Sequence, residues 1–244
     1  MTPTKKRRLD QLLVERGLAG SREKARALVL AGQVFVNGRK ADKAGEAVAP
    51  ESRIEVAEPL RYVSRAGLKL EAALAHFRIS VAGKVCLDVG ASTGGFTDCL
   101  LQHGALRVHA VDVGSGQLAW KLRTDPRVIL HEKLNARYLR PEDLGERVRL
   151  ATCDVSFISV TKILPVLPSV LEPDGEIVVL VKPQFEVERG QVGKGGLVRD
   201  PALHRAACQR VEQALAALGY RCALMASPVL GAEGNQEFLL HATR

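Results

Sequence analysis

Short apolar segments alternate with amphipathic ones from Val85 onward, and this alternation restricts the possible folds more than any other feature of the sequence. The first apolar segment is Val85–Val89. Strands separated by helices at this spacing form a mainly parallel sheet that helices cover on both faces. We predict further strands at 108–112, 150–154, 176–182, 221–225 and 237–241, and helices at 96–103, 159–171 and 202–218.

The first 60 residues follow a different pattern. A leucine stripe between Leu9 and Leu18 predicts one short helix, and Ser21 is a suitable N-cap for a second. Asn37-Gly38 predicts a tight turn between strands. We therefore expect a small α+β domain at 1–60, which ends in a linker at 57–60, and an α/β domain at 61–244. Within the small domain we predict a helix at 22–30 and strands at 34–36 and 53–56.

The positive charge of the chain is concentrated near its N-terminus. The net charge is +8, and residues 1–43 hold eleven Lys and Arg against four Asp and Glu, which gives 11 − 4 = +7. A solubilising basic tail is one explanation, but the charges are interleaved with a folded pattern, which favours nucleic acid as the partner. The candidate RNA-binding residues are Lys5, Lys6, Arg7, Arg8, Arg16, Arg22, Lys24, Arg26, Arg39, Lys40 and, in the larger domain, Arg65.

Other protein classes are disfavoured by what the sequence lacks. No apolar stretch resembles a signal peptide, and the longest plain apolar run, 177–181, is far shorter than the roughly 20 residues that span a bilayer. The five cysteines form no C-x-x-C pair, so neither a zinc site nor a disulfide framework is indicated. We expect a cytoplasmic protein without a metal and without a membrane partner.

A glycine-rich turn after the first strand predicts a cofactor site. The segment from Asp88 to Phe96 lacks both the dinucleotide fingerprint and the phosphate-binding P-loop. An acid before the first glycine suits a cationic methyl donor, whereas it repels a pyrophosphate. Asp112 lies where it can accept the ribose hydroxyls of such a donor. We expect Asn135 in a loop over the adenine of the donor, with a turn-forming asparagine as the alternative. A tight turn without a ligand is the alternative. The predicted cofactor residues are Asp88, Gly90, Ser92, Thr93, Gly94, Gly95, Phe96, Asp112, Asn135 and Asp154.

Four segments together resemble the TlyA family of ribosomal RNA cytidine 2′-O-methyltransferases, historically called hemolysins. They are the glycine turn, Val111 to Trp120, Asp154 to Ser159, and Val181 to Glu186. The front module, with Arg8-Leu9-Asp10 and Val36-Asn37-Gly38, resembles an S4 RNA-binding domain. The resemblance covers nearly the whole chain. It implies a Rossmann-like, class I S-adenosylmethionine-dependent methyltransferase domain of the FtsJ type, with a mainly parallel seven-stranded sheet, preceded by the S4 domain. Ribosomal RNA or ribosomal subunits are the implied partners, and S-adenosyl-L-methionine the implied cofactor.

The resemblance also implies a catalytic tetrad of Lys69, Asp154, Lys182 and Glu237. A ribose 2′-hydroxyl is a poor nucleophile and needs a base at close range. Lys182 is the candidate base, and a second lysine, Lys69, would favour its neutral form and orient the hydroxyl. Asp154 and Glu237 would position the two amines and balance their charge.

Several alternatives remain open at the level of sequence. A solvated lysine, a helix-capping aspartate and an exposed strand glutamate are the ordinary roles of Lys69, Asp154 and Glu237. Phe157 and Phe185 can stack on a splayed-out base or pack in the core. A membrane-active hemolysin and a catalytically silent ribosome assembly factor are the rival functions. The chain ends seven residues after Glu237 (244 − 237), which leads us to expect activity on the large-subunit RNA, with the small subunit as a further possibility. A monomer is the working expectation.

Overall fold

The computed structural model describes residues 6–30, 32–57, 60–231 and 234–244. Its contacts divide the chain into two compact units, Met1–Leu60 and Arg61–Arg244, which we call the small unit and the large unit. Lys5 and part of the predicted linker at 57–60 lie outside the described residues.

Within its described residues, the small unit contains two helices and two small antiparallel sheets. Its elements are β1 (Arg7–Arg8), α1 (Leu9–Glu15), α2 (Arg22–Leu30), β2 (Val34–Val36), β3 (Arg39–Lys40), β4 (Ala47–Val48) and β5 (Ile54–Val56). Strands β1 and β4 pair with each other, and the second sheet has the order β3-β2-β5.

The core of the small unit explains why these short elements form. Leu9, Leu12 and Leu13 on α1 are buried against Val29 and Val34. Between β2 and β3 the chain reverses at Asn37 and Gly38, both with positive φ, which is the backbone of a two-residue hairpin turn. The hydroxyl of Ser21 accepts a hydrogen bond from the Lys24 backbone N–H, so the predicted cap of α2 is present.

The large unit is a layered α/β structure. In the described part of the chain, seven strands form one sheet in the order β11-β12-β10-β9-β6-β7-β8. Strand β12 is antiparallel to both of its neighbours, and the other pairs are parallel. The strands are β6 (Val85–Val89), β7 (Arg107–Val111), β8 (Val128–His131), β9 (Val148–Cys153), β10 (Leu171–Val181), β11 (Arg221–Ala226) and β12 (Phe238–Thr243). The helices are α3 (Ala66–Phe77), α4 (Gly95–Gln102), α5 (Trp120–Arg123), α6 (Pro141–Leu144), α7 (Leu167–Val170), α8 (Pro183–Glu186) and α9 (Pro201–Ala217).

The strand order creates a crevice at the carboxyl ends of the central strands. Strand β6 lies between β7 and β9, so the chain leaves β6 towards one side of the sheet and returns on the other. Ligands of open parallel sheets bind where the strand order reverses in this way. The residues that follow β6, β7, β9 and β10 therefore all meet at one edge of the sheet.

The predicted mainly parallel sheet is confirmed, but several local predictions are wrong. The helix predicted at 159–171 is broken into the 3₁₀ turns Val160–Lys162 and Leu164–Val166 and the short helix α7. Pro165 and Pro168 lack the N–H that a continuous helix requires, which accounts for the breaks. Strand β8 was not predicted, because its sequence Val-Ile-Leu-His is short and half-exposed. The predicted bounds of β2 and β6 match the observed ones, whereas those of the other predicted strands differ by one to a few residues, most of all at β10, which begins at Leu171.

Candidate active site

Three strand ends converge on Gly90, which follows β6 and donates its backbone N–H to the carbonyl of Val111, the last residue of β7. The Asp154 backbone N–H donates a hydrogen bond of 2.9 Å to the carbonyl of Val89. A Cβ atom at Gly90 would lie 2.3 Å from the carbonyl oxygen of Asp154, and the φ of Gly90 is +84°. Only glycine tolerates both the left-handed backbone and the close approach. Gly90 therefore allows the segment after β9 to pass directly over the end of β6.

The rest of the glycine turn shapes the entry to α4. Gly94 has a φ of +99° and occupies the N-cap position of the helix. A Cβ atom at Gly95 would lie 2.2 Å from Ser64 Oγ and 2.9 Å from Ala66 Cβ. The absence of a side chain at Gly95 therefore lets the start of the large unit pack against the turn.

Two cavities adjoin the turn. The smaller has a volume of about 150 Å³ and is lined by Thr93, Gly95, Phe96 and Lys182, with Ser64 and Ala66. The larger has a volume of about 460 Å³ and includes Val111, Asp112, Leu134, Asn135 and Ala136 in its lining. Both are lined by Gly90, Ser92, Asp154 and Ser156. The two cavities thus form one crevice with a mostly apolar half and a charged half.

Asp112 and Asn135 both lie in the larger cavity, where the sequence predicted a nucleoside. The Asp112 carboxylate accepts hydrogen bonds from the backbone N–H groups of Ser92 at 2.8 Å and Gly114 at 2.7 Å. Each carboxylate oxygen keeps a lone pair for another donor. The Asn135 side chain accepts from the Arg137 backbone N–H at 3.1 Å and caps the 3₁₀ turn Ala136–Tyr138.

The position of the Asp88 side chain differs from the expectation that its carboxylate faces the cofactor. The side chain is fully buried beneath the turn and lines neither cavity. It accepts hydrogen bonds from the hydroxyls of Thr97 at 2.6 Å and Thr152 at 3.3 Å. Burial raises the pKa of Asp88 to about 7. Asp88 therefore ties β6 to β9 and α4 from below, and any effect on a ligand passes through the turn.

Lys182 projects from the end of β10 into the smaller cavity. Its Nζ lies 2.6 Å from Asp154 Oδ1 and donates a hydrogen bond of 2.9 Å to Ser156 Oγ. The side chains of Lys182 and Asp154 are mostly buried. An amine held in this way has a fixed position next to the wall that both cavities share.

Lys69 and Glu237 form a second ion pair close to the first in the fold. Lys69 Nζ lies 2.5 Å from Glu237 Oε2, and both side chains are buried. A Cβ atom at Gly231 would lie 2.0 Å from Glu237 Oε1, so a side chain there would displace the Glu237 carboxylate. In the antiparallel pairing of β10 with β12, Val181 faces Phe238, and one further step along this register places Lys182 opposite Glu237. The structure thus arranges the four predicted tetrad residues as two lysine–carboxylate pairs, of which the first lines the crevice and the second lines neither cavity.

Glu186 holds together the two loops that carry the first pair. Its buried carboxylate accepts hydrogen bonds from the Ser159 hydroxyl at 2.5 Å and the Val160 backbone N–H at 2.8 Å. Burial raises the pKa of Glu186. The loop after β9 is therefore fixed to α8, which starts directly after Lys182.

Phe157 is exposed at the rim of the larger cavity. Its side chain is 92% exposed, its φ is +65°, and its ring centroid lies 5.4 Å from that of Phe185. A bulky side chain with positive φ is strained, so the surrounding loop must impose this conformation. The alternative that Phe157 packs in the core is therefore wrong. Phe185 is partly buried.

The described candidate RNA-binding residues are all exposed. Some of them also make intramolecular contacts. Arg7 pairs with Glu15, and Arg16 donates to the carbonyl oxygens of Ser52 and Pro50. Arg8, Arg22 and Arg26 share the carboxylate of Asp10. The remaining described candidates are Lys6, Lys24, Arg39, Lys40 and Arg65.

Sequence reasoning missed several residues of the site. Ser156 follows Asp154 by two positions, and only the orientation of Lys182 identifies it as a partner. Ser64 and Ala66 line the smaller cavity although they precede the first strand of the sheet by about 20 residues. No sequence signal distinguishes these small residues from ordinary loop residues.

Among residues 6–30, 32–57, 60–231 and 234–244, every helix is too short or too polar to span a bilayer. Across the same residues, His, Cys, Asp and Glu side chains form no group of three or more that is arranged to hold a metal ion.

Comparison with known proteins gives consistent similarities over both units. The model of the FtsJ-like methyltransferase family matches residues 62–244, and that of the S4 domain matches residues 7–54. The chain is 53% identical over 241 residues to YqxC of Bacillus subtilis, named as an rRNA methyltransferase, covering 98% of this chain and 86% of the relative. It is 49% identical over 236 residues to the 16S/23S rRNA (cytidine-2′-O)-methyltransferase TlyA of Mycobacterium tuberculosis, covering 96% and 88%. The solved structure of a Streptococcus thermophilus protein named as a hemolysin is similar with a TM-score of 0.76 and 46% identity, covering 99% of this chain and 89% of that chain.

The seven-stranded sheet with one antiparallel inserted strand, and the crevice beside its glycine turn, define the class of S-adenosylmethionine-dependent methyltransferases. Within that class, the chain belongs to the FtsJ-like methyltransferase family, and over its full length to the TlyA proteins. An S4 domain precedes the methyltransferase domain.

Proposed function

We propose that this protein transfers a methyl group from S-adenosylmethionine to the ribose 2′-hydroxyl of a cytidine in ribosomal RNA. The observation that carries the proposal is the Lys182–Asp154 pair, 2.6 Å apart, on the wall that joins the two cavities. A buried amine at that position can meet a hydroxyl next to a nucleoside-sized pocket. The names of YqxC and of the Mycobacterium tuberculosis enzyme support an rRNA substrate.

The crevice fits S-adenosylmethionine in both of its halves. The larger cavity offers apolar walls for an adenine and the Asp112 carboxylate for the ribose hydroxyls. The smaller cavity runs along the backbone of the glycine turn, where Ser92 and Thr93 can receive the polar methionine end. Gly90 keeps the floor free of side chains at the junction. When bound there, the cofactor supplies a methyl group activated by a sulfonium.

The two lysine–carboxylate pairs supply the acid–base chemistry. We assign Lys182 Nζ as the acceptor of the 2′-hydroxyl proton, with Asp154 and Ser156 fixing the direction of the amine. The Asp154 carboxylate is also the nearest acceptor for a proton that Lys182 gives up. To Lys69, which Glu237 holds, we assign hydrogen bonding to the developing alkoxide. Holding the hydroxyl in line with the methyl group contributes much of the rate.

Two surfaces suit the RNA. The exposed basic residues of the small unit match the S4 similarity and provide phosphate contacts. The exposed ring of Phe157 offers a stacking surface for a base that has left its helix. Since assembled ribosomes are the source of such RNA, we place the activity in the cytoplasm.

A catalytically silent assembly factor is the main rival. That function would tolerate loss of the catalytic side chains, whereas here both ion pairs and the glycine turn are present. A membrane-active hemolysin is the second rival, and leakage of dye from liposomes on adding the purified protein would favour it. The proposal predicts no leakage.

Mapping of methylated riboses tests the proposal in the cell. A 2′-O-methyl group blocks alkaline cleavage at its 3′ side, so each site appears as a gap in the hydrolysis ladder of rRNA. We expect at least one cytidine gap, in the large-subunit RNA alone or in the RNA of both subunits, that disappears when the gene is deleted and returns with the wild-type copy. Identical ladders from both strains would contradict the proposal.

A further inference from the structure

A single buried carboxylate in the small unit is shared by three arginines. Asp10 on α1 is 0% exposed, whereas the side chains of Arg8, Arg22 and Arg26 are 47%, 49% and 58% exposed. Arg8 donates to both oxygens, with Nε 3.0 Å from Oδ1 and Nη2 2.9 Å from Oδ2. Arg22 Nη2 and Arg26 Nε lie 3.1 Å and 3.4 Å from Oδ2. We call these four residues the arginine fan.

The arginine fan has net positive charge, and N–H groups of its arginines point towards solvent. Three guanidinium groups surround one carboxylate, so two positive charges remain uncompensated (3 − 1). The Arg8 guanidinium beside it holds the pKa of Asp10 well below its usual range, so the carboxylate stays charged. Arg22 donates to Asp10 through one terminal nitrogen and Arg26 through Nε only. Their other N–H groups form the planar forks that suit phosphate oxygens.

The arrangement is fixed from several directions. Arg22 and Arg26 lie one turn apart on α2, so they project from the same face. Arg8 comes from β1, and its guanidinium packs over Gly45, where a Cβ atom would lie 3.2 Å from Nη2. The Asp10 backbone N–H donates to the carbonyl of Ala44 at 2.9 Å, which anchors the carboxylate relative to that glycine.

A purely structural role explains the fan less well. Leu9, Leu12 and Leu13 already pack α1 against the core of the small unit. A buried ionic group contributes little net stability, because its desolvation offsets the attraction. A carboxylate that only joined two helices would need one arginine, and the partners would not have to remain half exposed.

We propose that Asp10 is a positioning residue that joins Arg8, Arg22 and Arg26 into one binding site for a phosphodiester group of the RNA backbone. The inference rests on the proposed function, because it takes rRNA as the ligand of the small unit. Prealigned guanidinium forks bind an anion without losing side-chain entropy at that moment. Arginines that were free to spread over the surface would contribute charge but less affinity.

Asp10→Asn tests the inference, because charge and geometry predict opposite results. The probe is the purified large ribosomal subunit, and binding of the full-length protein is measured at several salt concentrations. The substitution makes the protein more positive by one charge, so electrostatics alone predicts tighter binding. The proposal predicts affinity reduced about fivefold or more, since the forks lose their alignment. Unchanged or tighter binding by a folded Asp10→Asn protein overturns it.

Glu55→Gln is the matched control. Glu55 is an acid of the small unit that pairs with one exposed arginine, Arg53, outside the fan. This variant has the same net charge as Asp10→Asn, and we expect it to bind subunits at least as tightly as the wild type. A loss equal to that of Asp10→Asn would show that the effect is not specific to the fan, and would overturn the proposal.

Two surface variants keep the test decisive if Asp10→Asn does not fold. Arg22→Lys and Arg26→Lys keep the charge but remove the planar fork, and each is expected to weaken binding about threefold or more.

The double variant Arg22→Ala with Arg26→Ala should reduce the slope of log affinity against log salt by about one, because a single phosphate is contacted. A reduction of about two would indicate separate phosphates and overturn the single site. If the wild type fails to bind subunits, the proposed function fails as well, whereas a failure confined to the variants leaves that function intact.

Discussion

Lys69 and Glu237 are 168 positions apart in the chain and form a buried ion pair of 2.5 Å at the carboxyl edge of the sheet. Removing one partner leaves an uncompensated buried charge, so Glu237→Gln is expected to reduce the free energy of unfolding by about 3–5 kcal/mol. Replacing both residues by methionine removes both charges and fills a similar volume. The free energy of unfolding of that double variant should therefore be close to that of the wild type. The double variant should not transfer methyl groups.

Urea unfolding and a methyl-transfer assay on the same preparations separate these effects. A double variant as unstable as Glu237→Gln would mean that the pair stabilises the fold through more than charge balance. A double variant that still methylates rRNA would exclude a catalytic role for both residues.

Lys182→Ala is expected to abolish methyl transfer while cofactor affinity stays close to that of the wild type. Cofactor affinity should be retained because the Lys182 amine contacts Asp154 and Ser156 at one side of the crevice. Asp112, which we assign to the ribose of the cofactor, lies in the other half. Calorimetric titration with S-adenosylmethionine and transfer of labelled methyl to ribosomal subunits measure the two properties. Ser156→Ala is the comparison and should lower activity only in part, since the ion pair to Asp154 still holds the amine. Activity above about a tenth of wild type in Lys182→Ala would remove it as the base.

Asp88 is expected to make the fold less stable as the pH rises from about 4 to about 7. Burial raises the pKa of Asp88 in the folded protein to about 7, so the folded state binds a proton that the unfolded state has already released. The stability that this proton provides is fully present below the unfolded pKa of about 4 and is lost as the pH passes through the folded value. Asp88→Asn carries no such proton.

Urea unfolding of both proteins at about pH 4.5 and about pH 7.5 measures this effect. On going from the lower to the higher pH, the free energy of unfolding of Asp88→Asn should rise by about 2–4 kcal/mol relative to that of the wild type. Comparing the two proteins cancels the contributions of other carboxyl groups, such as Glu176, whose pKa is lowered to about 2 chiefly by its hydrogen bond with His241. A constant difference between the two proteins would show that Asp88 is charged throughout this range.

Phe157→Ala is expected to slow methyl transfer without lowering the thermal midpoint. The ring is 92% exposed and its backbone has positive φ, so removing it costs little packing. Stacking of a base on an aromatic ring contributes about 1–3 kcal/mol, which corresponds to roughly a tenfold to hundredfold loss. Phe157→Trp should retain activity, and Trp120→Ala, another exposed aromatic, should have no effect. Full activity in Phe157→Ala would exclude the stacking role.

The sequence predicted best the features that depend on neighbouring residues. Asp112 follows an apolar strand directly, so its place at the carboxyl edge could be deduced from the pattern. The turn at Asn37-Gly38 and the cap at Ser21 are likewise local. The break near Pro165 and Pro168 was equally local, and the prediction of a continuous helix underestimated the effect of proline.

Features that depend on the tertiary fold were not predictable. Strand β6 is covered on both faces, so its pattern does not reveal that Asp88 points to Thr97 and Thr152 instead of the crevice. The pairing of Lys182 with Asp154 depends on the position of β10 beside β9, and that of Lys69 with Glu237 on the packing of α3 near the start of β12, and no local pattern encodes either. The shared role of Asp10 likewise appears only when α1 and α2 are packed together.

The identity of the labelled nucleoside shows which atom of the RNA receives the methyl group. Purified protein is incubated with methyl-labelled S-adenosylmethionine and ribosomal subunits from a strain that lacks the gene, and the rRNA is digested to nucleosides. We expect label in 2′-O-methylcytidine with the wild type and none with Lys182→Ala. Label in a base-methylated nucleoside, or no label from wild-type protein that binds both cofactor and subunits, would contradict it.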